Sequence, residues 1–163
     1  MKVLSILLVF LFTTTISCAQ KSPRKQSEGK INGVNISIDY GSPSVKGRKI
    51  WGKLVKYNKV WRAGANENTT FSFDKNVTIN GHKLPAGKYG IFMIPKEKEE
   101  WIVVFNSKND SWGHFSYKEK EDVFRIKISP NYVNDNQEQL QYSVNNNAIV
   151  FAWEKARISI PVE

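Results

Sequence analysis

The chain has 163 residues, with 24 lysines and arginines against 15 acidic residues for a formal net charge of +9, and 40% of it is hydrophobic. That length suits one domain with a proper core and is short for two. A lone cysteine rules out an intramolecular disulfide, and the basic balance favours acidic partners.

The first stretch, MKVLSILLVFLFTTTISCAQ, sets one Lys before an unbroken apolar run from Val3 to Phe12. Such a run is a secretory h-region, well short of the ~20 residues a helix needs to span a bilayer. Residues 1–17 are therefore expected to be a signal peptide, and the mature chain to work in the bacterial envelope as a periplasmic protein or a membrane-anchored lipoprotein. Two processing readings stand. Thr15-Ile16-Ser17-Cys18 resembles a lipobox, with Thr15 where Leu is usual, and would put lipid on Cys18; Ser17-Cys18-Ala19 also satisfies ordinary cleavage after Ala19. Lipidation has the further merit of consuming a thiol that has no partner, and it would give membrane association at about 0.8 kcal/mol per buried CH₂. Acidic partners in an envelope are acidic glycans, anionic lipids or another envelope protein, and nucleic acid is not expected there. The same lysines also serve simply to keep strand edges soluble.

Residues 18–30, ending in AQKSPRKQSEGK, hold no aliphatic or aromatic side chain larger than Ala apart from the Cys and read as a flexible basic tether. From Ile31 the texture changes. In VNISIDY, Val34, Ile36, Ile38 and Tyr40 alternate with polar residues, the pattern of a strand with one buried face. Gly41, Pro43, Gly47 and Gly52 then break the chain into loop, with one helical turn conceivable near Trp51 to Val55. Strand character returns in TTFSFD, and Asn80-Gly81 predicts a tight type I′ hairpin, because both positions tolerate positive φ. Pro85-Ala86-Gly87 is a second turn before a strand from Tyr89 to Ile94. WIVVF is nearly continuous in apolar residues and suits a strand covered on both faces.

A polar stretch over residues 106–122 contains DSWGHFSY, and VFRIKIS, LQYSV, AIVFAW and ARISIPVE complete the strand candidates. No segment carries a 3.6-residue apolar stripe over three turns. The domain over residues 31–163 is expected to be all-β, an antiparallel β-sandwich or partly closed barrel of about eight to nine strands.

Familiar catalytic spacings are missing. The two histidines, His82 and His114, fall in no zinc pattern, no G-x-S-x-G elbow or P-loop occurs, and carboxylates are sparse between residues 40 and 95. No metal, cofactor or catalytic residue is therefore assigned. What remains is a concentration of aromatic and polar groups in loop-like sequence. Trp51, Trp61 and Trp112 each adjoin Gly or Arg, and Arg62, Asn66, Glu67 and Asn68 offer donors and acceptors within one short run. Arg48 or Lys46 would form a cationic wall and His114 an adjustable polar group, giving the ligand-binding set Lys46, Arg48, Trp51, Trp61, Arg62, Asn66, Glu67, Trp112 and His114. The plainer reading is that the loop tryptophans fold back to plug one end of the core, with Arg62 paired to Glu67 or bonded to carbonyls of the long loop. A hydrolase using Glu67 as base and His114 as acid is a rival, against which a nearby Arg62 would depress the Glu67 pKa. A structural scaffold binding another envelope protein through an apolar sheet face is a third reading.

The strings PSVKGRKIWG and VWRAGANENTT, with KLPAGKYGIFMIP, EWIVVFN and WGHFSY, resemble the bacterial envelope proteins grouped as domain of unknown function 2911. The likeness runs from about Ile31 to the end. It implies a secreted or lipid-anchored β-rich domain, in some relatives joined to helical repeats, with no assigned activity or cofactor. It therefore transfers no catalytic role to any residue here.

Overall fold

The structure, a computed structural model, describes residues 21–163, so the signal-peptide and Cys18 readings lie outside the described residues. The strands are β1 (Arg24–Ile31), β2 (Val34–Gly41), β3 (Thr69–Phe73), β4 (Val77–Ile79), β5 (His82–Leu84), β6 (Gly87–Ile94), β7 (Trp101–Asn106), β8 (Asp122–Ile128), β9 (Asn131–Val144) and β10 (Ala148–Pro161). A six-stranded sheet in the order β1-β2-β3-β6-β7-β8 is antiparallel throughout. A β9–β10 ribbon packs over its inner face, and β4–β5 is a separate small hairpin. The fold is thus a sandwich and not a closed barrel.

The period-two pattern of β2 buries Ile36, Ile38 and Tyr40, which meet Phe71 and Phe73 from β3 and Tyr142 from β9 in one core. Tyr142 edges onto both Tyr40 and Phe71, at 5.0 and 5.5 Å between ring centroids. β10 alternates through Ile149, Phe151 and Trp153, then changes parity to Ala156, Ile158 and Ile160. The pairing is irregular at Glu154, where φ is 51° and β9 carries the surplus residues, and the alternation of β10 shifts there so that both halves face inward. Asn80 and Gly81 sit at φ 48° and 83°, as a type I′ turn requires. The residues around Trp51 to Val55 form no helix; amides of 53–55 turn back to the Lys49 and Ile50 carbonyls.

The tether reading is corrected from Arg24 onward, because β1 pairs with β2 along its whole length. Two of its inward positions, Ser27 and Gly29, are small for a steric reason: a Cβ on Gly29 would come within 2.5 Å of the Val144 side chain, and Ser27 donates to the Tyr142 carbonyl at 2.7 Å. The close pass of β9 leaves no room for the apolar residues that would have marked a strand.

The polar stretch 107–121 folds across the outer face of the main sheet, which explains why Val103, Val104 and Phe105 are all fully buried. Tyr117 stacks edge-on against Phe92 at 4.9 Å. Its hydroxyl donates to Asp122 at 2.8 Å and accepts from Arg125 at 2.7 Å, and burial with the Asp122 carboxylate pushes its pKa up to about 12. Tyr117 is consequently a clamp holding its proton. Asn106, fully buried, donates to Asp122 and accepts from the Lys108 amide, fixing the other end of the stretch.

Candidate functional site

The loop between β2 and β3 passes the core before it reaches the surface. Trp51 and Trp61 are 6% and 9% exposed. Trp51 packs against Trp101 at 4.5 Å and Trp153 at 5.7 Å, and Trp61 stacks on Trp153 at 5.7 Å. Their indole N–H groups donate to Glu154 and to the Gly64 carbonyl, each at 3.1 Å. These two residues cap the core, and their inclusion as ligand contacts is corrected: neither presents a ring face to solvent.

Past Trp61 the backbone is strained. Ala63 has φ of 51°, a left-handed conformation uncommon for a side-chain-bearing residue, and Asn66 has φ of 64°. The Ala63 carbonyl accepts from the Tyr142 hydroxyl at 2.8 Å and from Thr69 at 3.1 Å, which locks the turn. A Cβ on Gly41 would collide with the Ala65 carbonyl, so the loop lies directly on the β2 backbone. The outcome is that Arg62 projects from a rigid base.

A second segment meets this loop. Asn68 donates its amide to the Ser111 carbonyl at 2.9 Å and Gly113 donates to the Asn66 carbonyl at 2.8 Å, with Glu67 and Trp112 bridged. These bonds unite residues 62–68 with 111–115. Arg62 is partly buried, and its Nη1 lies 3.9 Å from where a Gly113 Cβ would stand. Among the described residues it forms no ion pair, and its Nε is buried with no hydrogen-bond partner. Burial lowers the guanidinium pKa from its ordinary value, yet an arginine remains charged under all ordinary conditions.

Glu67 is not its partner. That carboxylate lies 3.4 Å from Lys21, and its own backbone N–H, with Lys21 and Arg24, holds its pKa below the usual range. A general base working near neutral pH needs the opposite setting, so the geometry gives the Glu67–His114 hydrolase no support. His114 stacks on Phe115 at 4.7 Å, and its Nδ1 is buried without a partner. Burial, and then the Arg62 charge, lower its pKa below the ordinary 6.5. Trp112 and Phe115 are 58% and 87% exposed, and Lys21 Nζ stands 4.7 Å over the Trp112 ring.

Of the remaining expected residues, Asn66 donates to the Ser22 carbonyl at 3.1 Å, which ties the N-terminal segment to the loop. Lys46 and Arg48 border a neighbouring recess of about 360 Å³, reached through Lys21 to Pro23. Arg48 is spent on the Val45 and Ser44 carbonyls and so is not a free cation at this recess. Clefts of about 690 and 730 Å³ lie along β1–β3 and beside the charged turn at 96–100, away from the orphaned polar atoms. No group of three or more His, Cys, Asp or Glu suited to a metal occurs among the described residues. The sequence reading passed over Thr70 and Ser111, whose buried hydroxyls also lack partners, and only pairing of the two segments reveals them.

Residues 22–162 match the family described as "Protein of unknown function (DUF2911)". The chain belongs to this family. No curated protein and no solved structure matches it. Within the DUF2911 strings, Trp51 and Trp61 serve the core, whereas Arg62, Trp112 and Gly113 shape the tip.

Proposed function

We propose that the chain is a non-catalytic binding module of the bacterial envelope, holding an anionic ligand through a carboxylate or phosphate of the kind that acidic glycans and lipid head groups carry. The observation that carries this reading is the Arg62 guanidinium, partly withdrawn from water with no ion-pair partner among the described residues. A desolvated charge is costly until it is paired, and a guanidinium is matched by the two oxygens of a carboxylate or phosphate. His114 adds a second nitrogen, and the exposed rings of Trp112 and Phe115 add apolar faces for the body of the ligand. The basic charge of the chain favours the approach of such a ligand. A leader that carries the chain to the envelope, with or without lipid on Cys18, would bring the site to these molecules.

Isothermal titration of wild type and Arg62→Ala with glucuronate, galacturonate and inorganic phosphate tests this. At least one anion is expected to bind wild type, and Arg62→Ala to weaken it by about tenfold or more, as loss of a hydrogen bond to a charged group implies. Equal affinities in the two proteins, or no binding by any of the three, would refute it.

A further inference from the structure

We propose that the cavity of about 250 Å³ bordered by Trp112, Asn68, Thr70 and Ser111 takes the ring of a neutral sugar. This deepens the anion-site reading and rests on it for the acidic end of the ligand: an acidic oligosaccharide would place its charged group at Arg62 and an adjoining uncharged ring here. Three features separate this cavity from the Arg62 site.

The first is charge. Arg24, Lys88, Glu67 and Asp110 stand on the wall, two of each sign. Arg24 is held by Asp39 at 2.6 Å and by the Asn68 carbonyl at 2.7 Å, and Asp110 by Lys108 at 2.6 Å. Glu67 is paired with Lys21 at 3.4 Å, so three of the four charges are engaged, and a wall balanced in sign suits an uncharged ligand. The second is hydrogen-bonding capacity. Thr70 Oγ1, Ser111 Oγ and Asn68 Oδ1 are buried without partners, and the Asn68 amide nitrogen already donates to the Lys108 carbonyl at 3.2 Å. What is left is two hydroxyls and a bare acceptor. Sugar hydroxyls both donate and accept and can answer all three, whereas an ionised carboxylate, an acceptor only, cannot serve the Asn68 oxygen. The third is shape: the volume is below the ~300–1,000 Å³ of pockets for drug-sized ligands, and an exposed indole at the border is a platform for the C–H face of a pyranose.

The test is an amide and indole N–H NMR titration with the methyl glycosides of glucose, galactose, mannose and N-acetylglucosamine. At least one should shift the Asn68, Thr70, Ser111 and Trp112 signals together. Trp112→Ala, a surface change that leaves the core intact, should weaken that binding about fivefold or more, in line with loss of an aromatic contact. Ser111→Ala should weaken it as well, and Arg62→Ala should leave it unaltered. A silent panel, undiminished binding in both the Trp112 and Ser111 variants, or loss of neutral-glycoside binding in folded Arg62→Ala would each overturn the proposal. Neutral-glycoside binding with no response to glucuronate, galacturonate or inorganic phosphate would uphold this cavity and sink the anion reading alone.

Discussion

Trp51→Ala is expected to lower the stability of the domain by about 3–5 kcal/mol, the usual cost of deleting a buried aromatic side chain. Trp51 touches Trp61, Trp101, Phe151 and Trp153, so its removal opens a cavity bordered by four large rings. Rings of this size do not collapse inward, since each is fixed by its own strand or loop. The lost indole N–H also leaves Glu154 Oε2 with only the Lys155 amide. Against a typical total of about 5–15 kcal/mol for a domain, the variant would stand near the edge of folding. Urea unfolding followed by tryptophan fluorescence measures this directly. A loss below about 1 kcal/mol would mean that Trp51 is a surface residue, as the pocket reading of the sequence held, and would remove the cap from the account.

Arg62→Met is expected to act in the opposite sense on stability while weakening anion binding by about tenfold or more. The Met chain replaces the aliphatic stem of Arg62 along the loop, and the change removes a partly buried charge that has no counter-ion among the described residues. Breaking an ion pair destabilises because one charge is stranded; here the charge is stranded already, and its removal should raise stability by about 1 kcal/mol. For a domain of this size that corresponds to a rise in Tm of roughly 2–4 °C. Residues kept at a cost to stability are those whose return lies in function. If Arg62→Met instead unfolds about 1 kcal/mol or more easily in the same thermal scan, the guanidinium has a structural task and the case for a binding site fails.

The sequence revealed the frame where one face of a strand is apolar and the other is not. Ile36, Ile38 and Tyr40 announced β2, and Asn80-Gly81 announced a hairpin that the backbone angles repeat. β1 was hidden because Ser27 and Gly29 are small to let β9 pass, and hydropathy sees only the missing bulk. Asn32-Gly33, at φ 49° and 80°, carries the same turn signal as Asn80-Gly81 and was masked by that polar approach. β10 reads as two strands because its alternation changes parity at Glu154, between the buried Trp153 and Ala156. The candidate site divided in a similar way. Aromatic and basic residues in turn-like sequence pointed to the correct loop, but which tryptophans are core depends on Trp101 and Trp153 arriving from strands far along the chain. Glu67, five residues beyond Arg62, looks like its partner by proximity; Lys21 pairs with its carboxylate instead and Arg24 donates to its backbone carbonyl, both from the N-terminal segment that composition marks as tether.

His114 reports on the Arg62 site from within it. In the free protein, burial and the Arg62 charge hold its pKa below 6.5. An anion bound between the two would offset that repulsion and raise the pKa. By linkage, affinity should then increase as the pH falls through the bound-state value, where the imidazole takes up a proton, and level off at higher pH, where it is neutral in both states. The decisive measurement is the His114 ring titration by NMR, with and without a saturating concentration of whichever of the three anions binds most tightly. A free pKa below 6.5 that climbs when the anion is added is the predicted result; a ring pKa indifferent to the anion, with the shifts falling instead on scattered surface lysines, would contradict it.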